Sequence, residues 1–369
     1  MEGVGFPDHY PVHHPGYPLW VLMGTAGRFL GLDAYEAFSI WSLAAAVVSV
    51  ALCHRIFRKF MSENVAFLFA AAFGVNPLAW HSSVTALTYS MASAFGLGVV
   101  LLSVRSVLEK RPHLVLFGAV LLAAGVFVRA DLPVYTGPVL FAAVIRHRSV
   151  MLFIRSSAIM VTGCALFLLT VHTIYGRGVP GEVAERAAHT VEVVLGTSVF
   201  RAGFVDGLFR NGVKIAAFLG WQLGVALMMF AWMVPTLVHR ARSGDYGARL
   251  ILLWLLPGLV FLLCLHVAPG YFLVLLPAFY LAVGRMIETA RGLASARRVG
   301  AVVLVATVVQ FMAYPWSSSS TGWKRTMDAK ISYLSRIGLK HADERVRINE
   351  DGDVWRIPAH ELNQSNNDR

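Results

Sequence analysis

The residues with the clearest chemical potential lie close to the start of the chain. The segment PDHYPVHHPGYPLW places Asp8, His13 and His14 within seven positions. Carboxylate and imidazole groups are side chains that commonly transfer protons in catalysis. The prolines and glycine of this segment favour a rigid turn, and Tyr17 and the apolar residues after it predict a short helix. Each histidine taken alone could instead be a hydrogen-bonding residue at an interface.

Other polar side chains separate or flank long apolar runs. Arg129 and Asp131 lie between two such runs, and His81 and His266 lie near the ends of others. An uncompensated charge at a membrane boundary is costly. Arg129 is therefore expected either to bind an anion, to pair with Asp131 or to extend its charged end toward the interface. The two histidines could line a shared cavity, or they could only make hydrogen bonds at helix ends.

These residues are set in a strongly apolar chain. Of its 369 residues, 57% are hydrophobic and only 14% are charged, and the mean hydropathy is +0.62. Soluble proteins are about half apolar and about a quarter charged. The composition therefore excludes an ordinary cytosolic enzyme, a disulfide-stapled secreted module and a disordered chain. Cys53, Cys164 and Cys264 lie inside apolar runs and are expected to be core residues.

Apolar runs bounded by charged residues, Pro or Gly predict an all-α polytopic membrane protein with about ten transmembrane helices. The runs are 36–56, 64–81, 84–104, 113–129, 131–146, 151–175, 213–238, 249–268, 270–287 and 299–316. The charged residues and Pro133 between the fourth and fifth runs favour a hairpin over one bent helix.

The distribution of basic residues predicts the orientation of the chain. Half of the 32 Lys and Arg residues lie in five alternate connections between the predicted helices, and cytoplasmic connections collect such residues. The segments 1–35 and 176–212 are therefore predicted to be outer loops of a transmembrane domain, 1–316, and residues 317–369 an extracytoplasmic tail. The same distribution explains the net charge of +11 without a nucleic-acid partner.

Two outer segments carry patterns of their own. Residues 182–195 place apolar and charged residues on opposite sides at helical spacing, which predicts an amphipathic helix on the outer interface. In the tail, alternating residues on both sides of Asp351 and Gly352 predict a β-hairpin, so the tail is expected to be a small appendage.

Several motifs resemble those of the GT-C class of integral-membrane glycosyltransferases, in particular bacterial relatives of protein O-mannosyltransferases and of sugar transferases that use polyprenyl-phosphate sugars. The segment from His13 to Leu19 is similar to the family's His-Pro-Pro-Gly-Tyr-Pro-Leu element, with His14 in place of the first proline. Weaker likenesses to later elements of the family lie in residues 76–89, 125–131 and 268–277. The resemblance extends over roughly residues 8–316.

The resemblance implies an outward-facing reaction site and a role for each candidate residue. Asp8 is implied as the catalytic acidic residue. Its carboxylate would act on an acceptor hydroxyl, either as general base or through a divalent cation. Arg129 is implied to neutralise the phosphate of the donor. The implied substrate-binding residues are His13, His14, Tyr17, His81, Arg129, Asp131, His266 and Tyr271.

The function implied is transfer of a sugar from a polyprenyl-phosphate-linked donor to a lipid, glycan or protein acceptor on the outer face of a plasma or inner membrane. Two departures from the family leave alternatives open. The family has a helix ahead of the His13 element, which this sequence does not show. Many relatives also have an acidic residue just before the equivalent of Tyr89, where this sequence has Thr88. Either a further helix precedes Met1 in the natural protein, or the chain is a non-catalytic GT-C-like protein that binds a lipid or a partner. A lipid or solute transporter is a third class, which charges confined to helix ends disfavour.

Overall fold

A computed structural model shows a bundle of α-helices with a small β-hairpin late in the chain. The structure describes residues 17–32, 34–84, 87–175, 198–200, 203–265, 267–312, 345–348 and 354–357. Within these ranges the chain forms twelve α-helices, one 3₁₀ helix and two β-strands.

The helices are numbered in chain order. They are α1 Pro18–Phe29, α2 Ala34–Phe57, α3 Glu63–Gly74, α4 Pro77–Val84, α5 Tyr89–Leu108, α6 His113–Val126, α7 Leu132–Arg146, α8 Val150–Tyr175, α9 Phe204–Leu223, α10 Val225–Arg242, α11 Tyr246–Cys264 and α12 Leu276–Met312. A 3₁₀ helix, Pro269–Val274, precedes α12. The strands β1 Arg345–Ile348 and β2 Val354–Ile357 pair antiparallel, with Arg345 opposite Ile357.

The prediction of an all-α polytopic membrane protein is confirmed. Five described helices, α2, α5, α8, α11 and α12, are long and apolar enough to cross a membrane. Two bent pairs, α3 with α4 and α9 with α10, raise the number to seven if each pair is one span, and α6 and α7 are shorter apolar helices. The last two predicted runs lie mainly in the two halves of α12, which are joined at Gly292 with a φ of 80°. The predicted hairpin in the tail is also confirmed.

Three expectations need correction. The run 213–238 is not one straight helix, because α9 and α10 meet at Gly224 at an angle of 113°. Gly224 has a φ of 48° and a ψ of −120°, a conformation that residues with a side chain rarely adopt. The run 64–81 is bent by 56° between α3 and α4. The predicted outer loop 176–212 ends in helix, since α9 begins at Phe204, and the amphipathic helix predicted over 182–195 lies outside the described residues.

Small residues let the helices of the core approach closely. α5 packs against α2, α6 and α7, and a side chain at Gly96 would meet Leu132 and Thr136 of α7. The first half of α12 is buried against α3, where the rings of Phe69 and Tyr280 lie 6.3 Å apart. By contrast, α8 leaves apolar side chains such as Val161 largely exposed, as expected of a helix that faces lipid.

Asn76 joins the two bent helix pairs. Its amide nitrogen donates to the backbone carbonyl of Gln222, at the end of α9, at 2.6 Å, and to the hydroxyl of Tyr280 at 3.2 Å. Its side-chain oxygen accepts the N–H of Leu78 at 3.0 Å and so caps α4. Asn76 is fully buried, so these bonds replace water at two helix ends that an apolar interior could not otherwise satisfy.

Replacing Asn76 with Ala should therefore destabilise the bundle. The substitution removes a cap and leaves buried backbone groups without partners, a combined cost of about 2–4 kcal/mol. Reversible unfolding in mixed detergent micelles measures the loss. Asn64→Ala is the matched control, because Asn64 lies exposed in the first turn of α3, and an equal loss in both variants would contradict the assigned role.

Asp245 organises the other end of the bundle. Its carboxylate caps α11 through the N–H of Ala248 at 2.9 Å and accepts two bonds from Nη2 of Arg285 at 2.9 and 3.0 Å. Arg285 in turn donates to the backbone carbonyl of Phe60 at 3.2 Å, which ties α12 to the turn before α3. Burial opposes ionisation of Asp245, but the bonds from Ala248 and Arg285 outweigh it and lower the pKa of its carboxyl group.

A lowered pKa in the folded state sets the sign of a pH effect. The ionised carboxylate of Asp245 stabilises the fold above the usual aspartate pKa of about 4, and this contribution is lost as the pH falls through its lower folded-state value. Thermal unfolding between pH 6 and pH 3 should show a midpoint that falls with acidification. Asp245→Asn should lower the midpoint at pH 6 and flatten the pH dependence, whereas Asp206→Asn, at an exposed position in the first turn of α9, should change both much less.

Candidate functional site

Arg129 lies at the tip of the hairpin formed by α6 and α7. Its backbone N–H donates to the carbonyl of Gly125 at 2.8 Å, and its own carbonyl accepts the N–H of Leu132 at 3.1 Å. These bonds make the turn tight and confirm the predicted hairpin. The side chain does not extend into solvent, because only 8% of it is exposed.

Asp131 binds the guanidinium of Arg129 with both carboxylate oxygens. Nε donates to Oδ1 at 2.9 Å and Nη2 donates to Oδ2 at 3.0 Å. This geometry is a bidentate pair along one edge of the guanidinium, the edge made by Nε and Nη2. The sequence left open whether Arg129 pairs with Asp131 or extends toward the interface, and the structure shows the pair.

The pair leaves a second edge of the guanidinium, the one between Nη1 and Nη2. Nη1 makes one long bond, 3.4 Å, to the hydroxyl of Thr88. A guanidinium carries five N–H groups. Three have hydrogen-bond partners among the described residues, which leaves one N–H on Nη1 and one on Nη2 for a further acceptor. Two parallel N–H groups match the spacing of two oxygens of a phosphate or carboxylate.

Tyrosine rings surround the same guanidinium. The Cζ atom of Arg129 lies 4.5 Å from the ring centre of Tyr89, 4.7 Å from that of Tyr271 and 5.9 Å from that of Tyr17. The rings of Tyr89 and Tyr271 meet edge to face at 6.1 Å. Cation–π contacts of this kind stabilise a desolvated charge by about 2 kcal/mol or more. We call Arg129, Asp131 and these three tyrosines the arginine cage.

The charge in the cage is permanent at physiological pH. Arg129 lies in the turn between α6 and α7, and burial alone would lower its pKa. The negative charge of Asp131 and the neighbouring Tyr89 and Tyr17 outweigh this effect, so the pKa of Arg129 is raised above its usual value. The cage therefore holds a guanidinium cation that does not titrate in the physiological range.

A small cavity of about 10 Å³ opens beside the cage, roughly the room that one water molecule needs. Its lining includes Arg129, Asp131, Tyr271 and Tyr135 of α7. The hydroxyl of Tyr135 is buried and has no hydrogen-bond partner among the described residues. A polar group that entered the cavity would thus meet both a cation and an unsatisfied hydroxyl.

Comparisons with known proteins bear on the fold. No protein-family model matches the chain, and no curated protein matches it. The structure is similar to a crystal structure of ArnT from Cupriavidus metallidurans bound to undecaprenyl phosphate, with a TM-score of 0.55 and 13% sequence identity. The fold is GT-C-like. The match covers 87% of this chain, which spans 60% of the length of that ArnT chain.

The GT-C-like fold brings together part of the predicted site. Arg129, Asp131, Tyr17 and Tyr271 converge in the cage. His81 lies on α4, next to Trp80, which lines a different cavity. Asp8, His13, His14 and His266 lie outside the described residues. Among the residues that are described, no group of three or more His, Cys, Asp or Glu could hold a metal ion.

Tyr17 connects the cage to the N-terminal motif, the segment that carries Asp8, His13 and His14. It lies three residues after His14 in the sequence and directly precedes α1. The N–H of Leu19 donates to the carbonyl of Phe127 at 3.1 Å, so the start of α1 is attached to the turn that carries Arg129.

Two residues of the site escaped the sequence analysis. Tyr89 was noted only as part of a likeness, although it makes the shortest ring contact with Arg129, and Tyr135 was not considered. Both lie in the first turn of an apolar helix, which is the available signal. Many tyrosines occupy such positions as interface anchors, so sequence alone would not have singled these two out.

Gly270 sets how closely Tyr89 can pack. A Cβ atom at position 270 would fall within the ring of Tyr89. Gly270→Ala should therefore displace that ring and destabilise the protein by about 1–3 kcal/mol, as overpacking does elsewhere. Gly220→Ala is the control, since a Cβ atom there meets no atom within 4 Å and should leave stability unchanged or slightly higher. Thermal unfolding in detergent distinguishes the two, and equal midpoints would contradict the close packing.

Proposed function

We propose that the chain is a membrane glycosyltransferase that moves a sugar from a polyprenyl-phosphate-linked donor to an acceptor at the membrane surface. The observation that carries the proposal is the caged guanidinium of Arg129, a buried cation at the end of a helix bundle that keeps one edge for an anion. The GT-C-like fold supports it, since the similar ArnT crystal structure holds undecaprenyl phosphate.

The cage suits a lipid phosphate for electrostatic reasons. A cation that is withdrawn from water attracts an anion far more strongly than an exposed one does. Asp131 holds the guanidinium along one edge, so the remaining N–H groups on Nη1 and Nη2 point in a fixed direction. A phosphate would accept both, and the hydroxyl of Tyr135 would donate to a third oxygen. The small cavity must widen for this.

Transfer of the sugar releases a phosphate with increased negative charge. The bond between the anomeric carbon and the phosphate oxygen breaks, and the acceptor oxygen forms a bond to the same carbon. The acceptor proton passes to a base, and the electron pair of the broken bond stays on the polyprenyl phosphate. Arg129 would stabilise that charge as it develops, which is the role of preorganised cations in group transfer.

The base would come from the N-terminal motif. We propose Asp8 for this role, and His13 and His14 for orienting the acceptor or the phosphate. Support comes from chain connectivity, because Tyr17 of the cage lies three residues after His14 in the sequence. His81 and His266 are proposed as further binding residues only through their places near the ends of apolar runs.

The proposed site also defines the proposed organisation. Residues 1–316 would form the catalytic transmembrane domain with the cage on its extracytoplasmic side, and residues 317–369 an outer appendage. Five short connections rich in Lys and Arg support this orientation. The donor would be a polyprenyl-phosphate sugar, and the acceptor a lipid, a glycan or a protein.

A second candidate is a GT-C-like protein that binds a lipid phosphate or a partner without catalysis. One observation favours it: Asp131, the carboxylate of the cage, is bound by Arg129 with both oxygens and so is not free to act as a base. Sugar transfer would therefore need a base from elsewhere in the chain. Loss of sugar transfer in Asp8→Asn with unchanged lipid binding would support the enzyme, whereas absence of transfer in the wild type would favour the binding protein.

Binding of undecaprenyl phosphate should depend on the guanidinium of Arg129. Arg129→Lys keeps the charge but loses the two-pronged edge and should weaken binding by about tenfold, and Arg129→Gln should weaken it by about a hundredfold. Calorimetric titration or native mass spectrometry of the purified protein measures the affinity.

Arg105→Gln is the control for these variants. Arg105 lies at the far end of α5, where it pairs with Glu109 at 3.0 Å, and its loss should leave binding intact. A folded Arg129→Lys protein that binds undecaprenyl phosphate as tightly as the wild type does would reduce Arg129 to a structural ion pair.

A further inference from the structure

A second cavity, of about 150 Å³, lies between α2, α4 and α5. The first turns of α5 separate it from the cage: Tyr89 and Ala92 line the small cavity beside Arg129, whereas Ser90 and Ser93 line this one. Ser49 of α2 contributes a third hydroxyl-bearing residue to its wall. We call this cavity the serine groove.

Four serines line the groove, and three of their hydroxyls are unsatisfied; the fourth, that of Ser83, donates to the carbonyl of Trp80 at 2.7 Å. Ser49, Ser90 and Ser93 are 2%, 1% and 0% exposed, and none of their hydroxyls has a hydrogen-bond partner among the described residues. A buried hydroxyl without a partner costs about 1–3 kcal/mol. Three such groups around one cavity indicate that the cavity is built for an occupant that accepts hydrogen bonds.

Most of the remaining lining is apolar, and the groove opens toward lipid. Leu43 and Val47, on the same stretch of α2, line the groove and are 44% and 64% exposed. They belong to a helix that is long and apolar enough to cross a membrane. The occupant can therefore enter sideways from the bilayer and must offer apolar chain as well as acceptor atoms.

The level of the groove narrows the choice of occupant. Ser90 and Ser93 lie in the first two turns of α5, about 1.5 and 6 Å along the helix axis from Tyr89, where this candidate membrane span begins. The polar layer on each side of a bilayer is about 5–7 Å thick. At this depth a glycerolipid presents its ester carbonyl groups, which accept hydrogen bonds. A polyprenyl chain carries no oxygen beyond its phosphate and would leave the serines unsatisfied.

We propose that the serine groove binds one ester-linked glycerolipid. The hydroxyls of Ser90 and Ser93 donate to its ester carbonyls, Ser49 contacts the same region from α2, and an acyl chain lies along Leu43 and Val47. This site is separate from the arginine cage and does not depend on the activity proposed for it.

Retention of a defined lipid tests the proposal. The purified protein is delipidated, reconstituted with phosphatidylglycerol carrying either two ester-linked or two ether-linked chains, and examined by native mass spectrometry. The ether form has the same headgroup and chains but no carbonyl oxygens. The ester form should be retained roughly tenfold better, which corresponds to one or two net hydrogen bonds.

Two serine variants identify the site. The double variant Ser90→Ala and Ser93→Ala removes hydroxyls that make no bond within the described residues, so it should fold normally and lose the preference for the ester form. Ser103→Ala is the matched control: Ser103 is on the same helix, is also fully buried and has an unpartnered hydroxyl among the described residues, but does not line the groove. It should keep the preference.

The other outcomes each contradict the proposal. Equal retention of the two lipids would show that the carbonyls are not recognised. An unchanged preference in the double variant would place the lipid elsewhere. Displacement of phosphatidylglycerol by undecaprenyl phosphate from the wild type, but not from the double variant, would make the groove a polyprenyl site instead. These results are independent of the Arg129 variants, so failure here leaves the proposed transferase function unaffected.

Discussion

The buried charge of Arg129 imposes requirements on much of its surroundings. A guanidinium that is almost wholly removed from water needs an anion, hydrogen-bond acceptors or ring faces nearby, and here it has all three. The tight turn after α6 places Asp131 two residues away, where both oxygens reach one edge of the cation. Gly270 has no side chain, which allows the ring of Tyr89 to occupy the adjacent space. Residues from α5, the α6–α7 turn and the 3₁₀ helix thus converge because one charge must be satisfied.

Helix ends inside an apolar bundle also need polar partners, although their backbone N–H and C=O groups are uncharged. The ends of α4 and α9 expose backbone groups where lipid and apolar side chains supply no partners. Asn76 serves both ends at once, through its carboxamide oxygen at α4 and its nitrogen at α9. At the opposite end of the bundle, Asp245 caps α11 and holds Arg285 of α12. Short polar contacts of this kind fix where helices bend, while small residues fix how closely they pack.

Much of this architecture could be predicted from the sequence, for reasons that are local. An apolar run of sufficient length is a helix in any bilayer, and charged residues with a proline mark a hairpin, as between α6 and α7. The bend at Gly224 could not be predicted in the same way. Mean hydropathy is an average over a run of residues, and it contains no information about a change in the direction of the helix axis. The hairpin of the tail follows from alternation around Asp-Gly, which is equally local.

The candidate site shows the same division. Arg129 and Asp131 are neighbours in sequence, so their pairing could be anticipated, whereas the contacts of Tyr89 and Tyr271 with Arg129 join segments far apart in the chain. Such contacts depend on how helices pack, and a single sequence does not record that. Tyr135 illustrates the limit most clearly, since its unsatisfied hydroxyl is a property of its surroundings and not of its residue type.

The 3₁₀ helix Pro269–Val274 is a partition with a different cavity on each side. Val274 and Tyr271 border the cavity beside Arg129, and Leu273 borders the serine groove. A six-residue 3₁₀ helix is longer than such helices usually are, and its hydrogen bonds are weaker than those of an α-helix. If this partition moved toward one cavity it would enlarge the other, and only through such a movement would occupancy of one affect the other. Such an effect would be reciprocal: if a ligand in one cavity changed the affinity of the other cavity by some factor, a ligand in the second cavity would change the affinity of the first by the same factor.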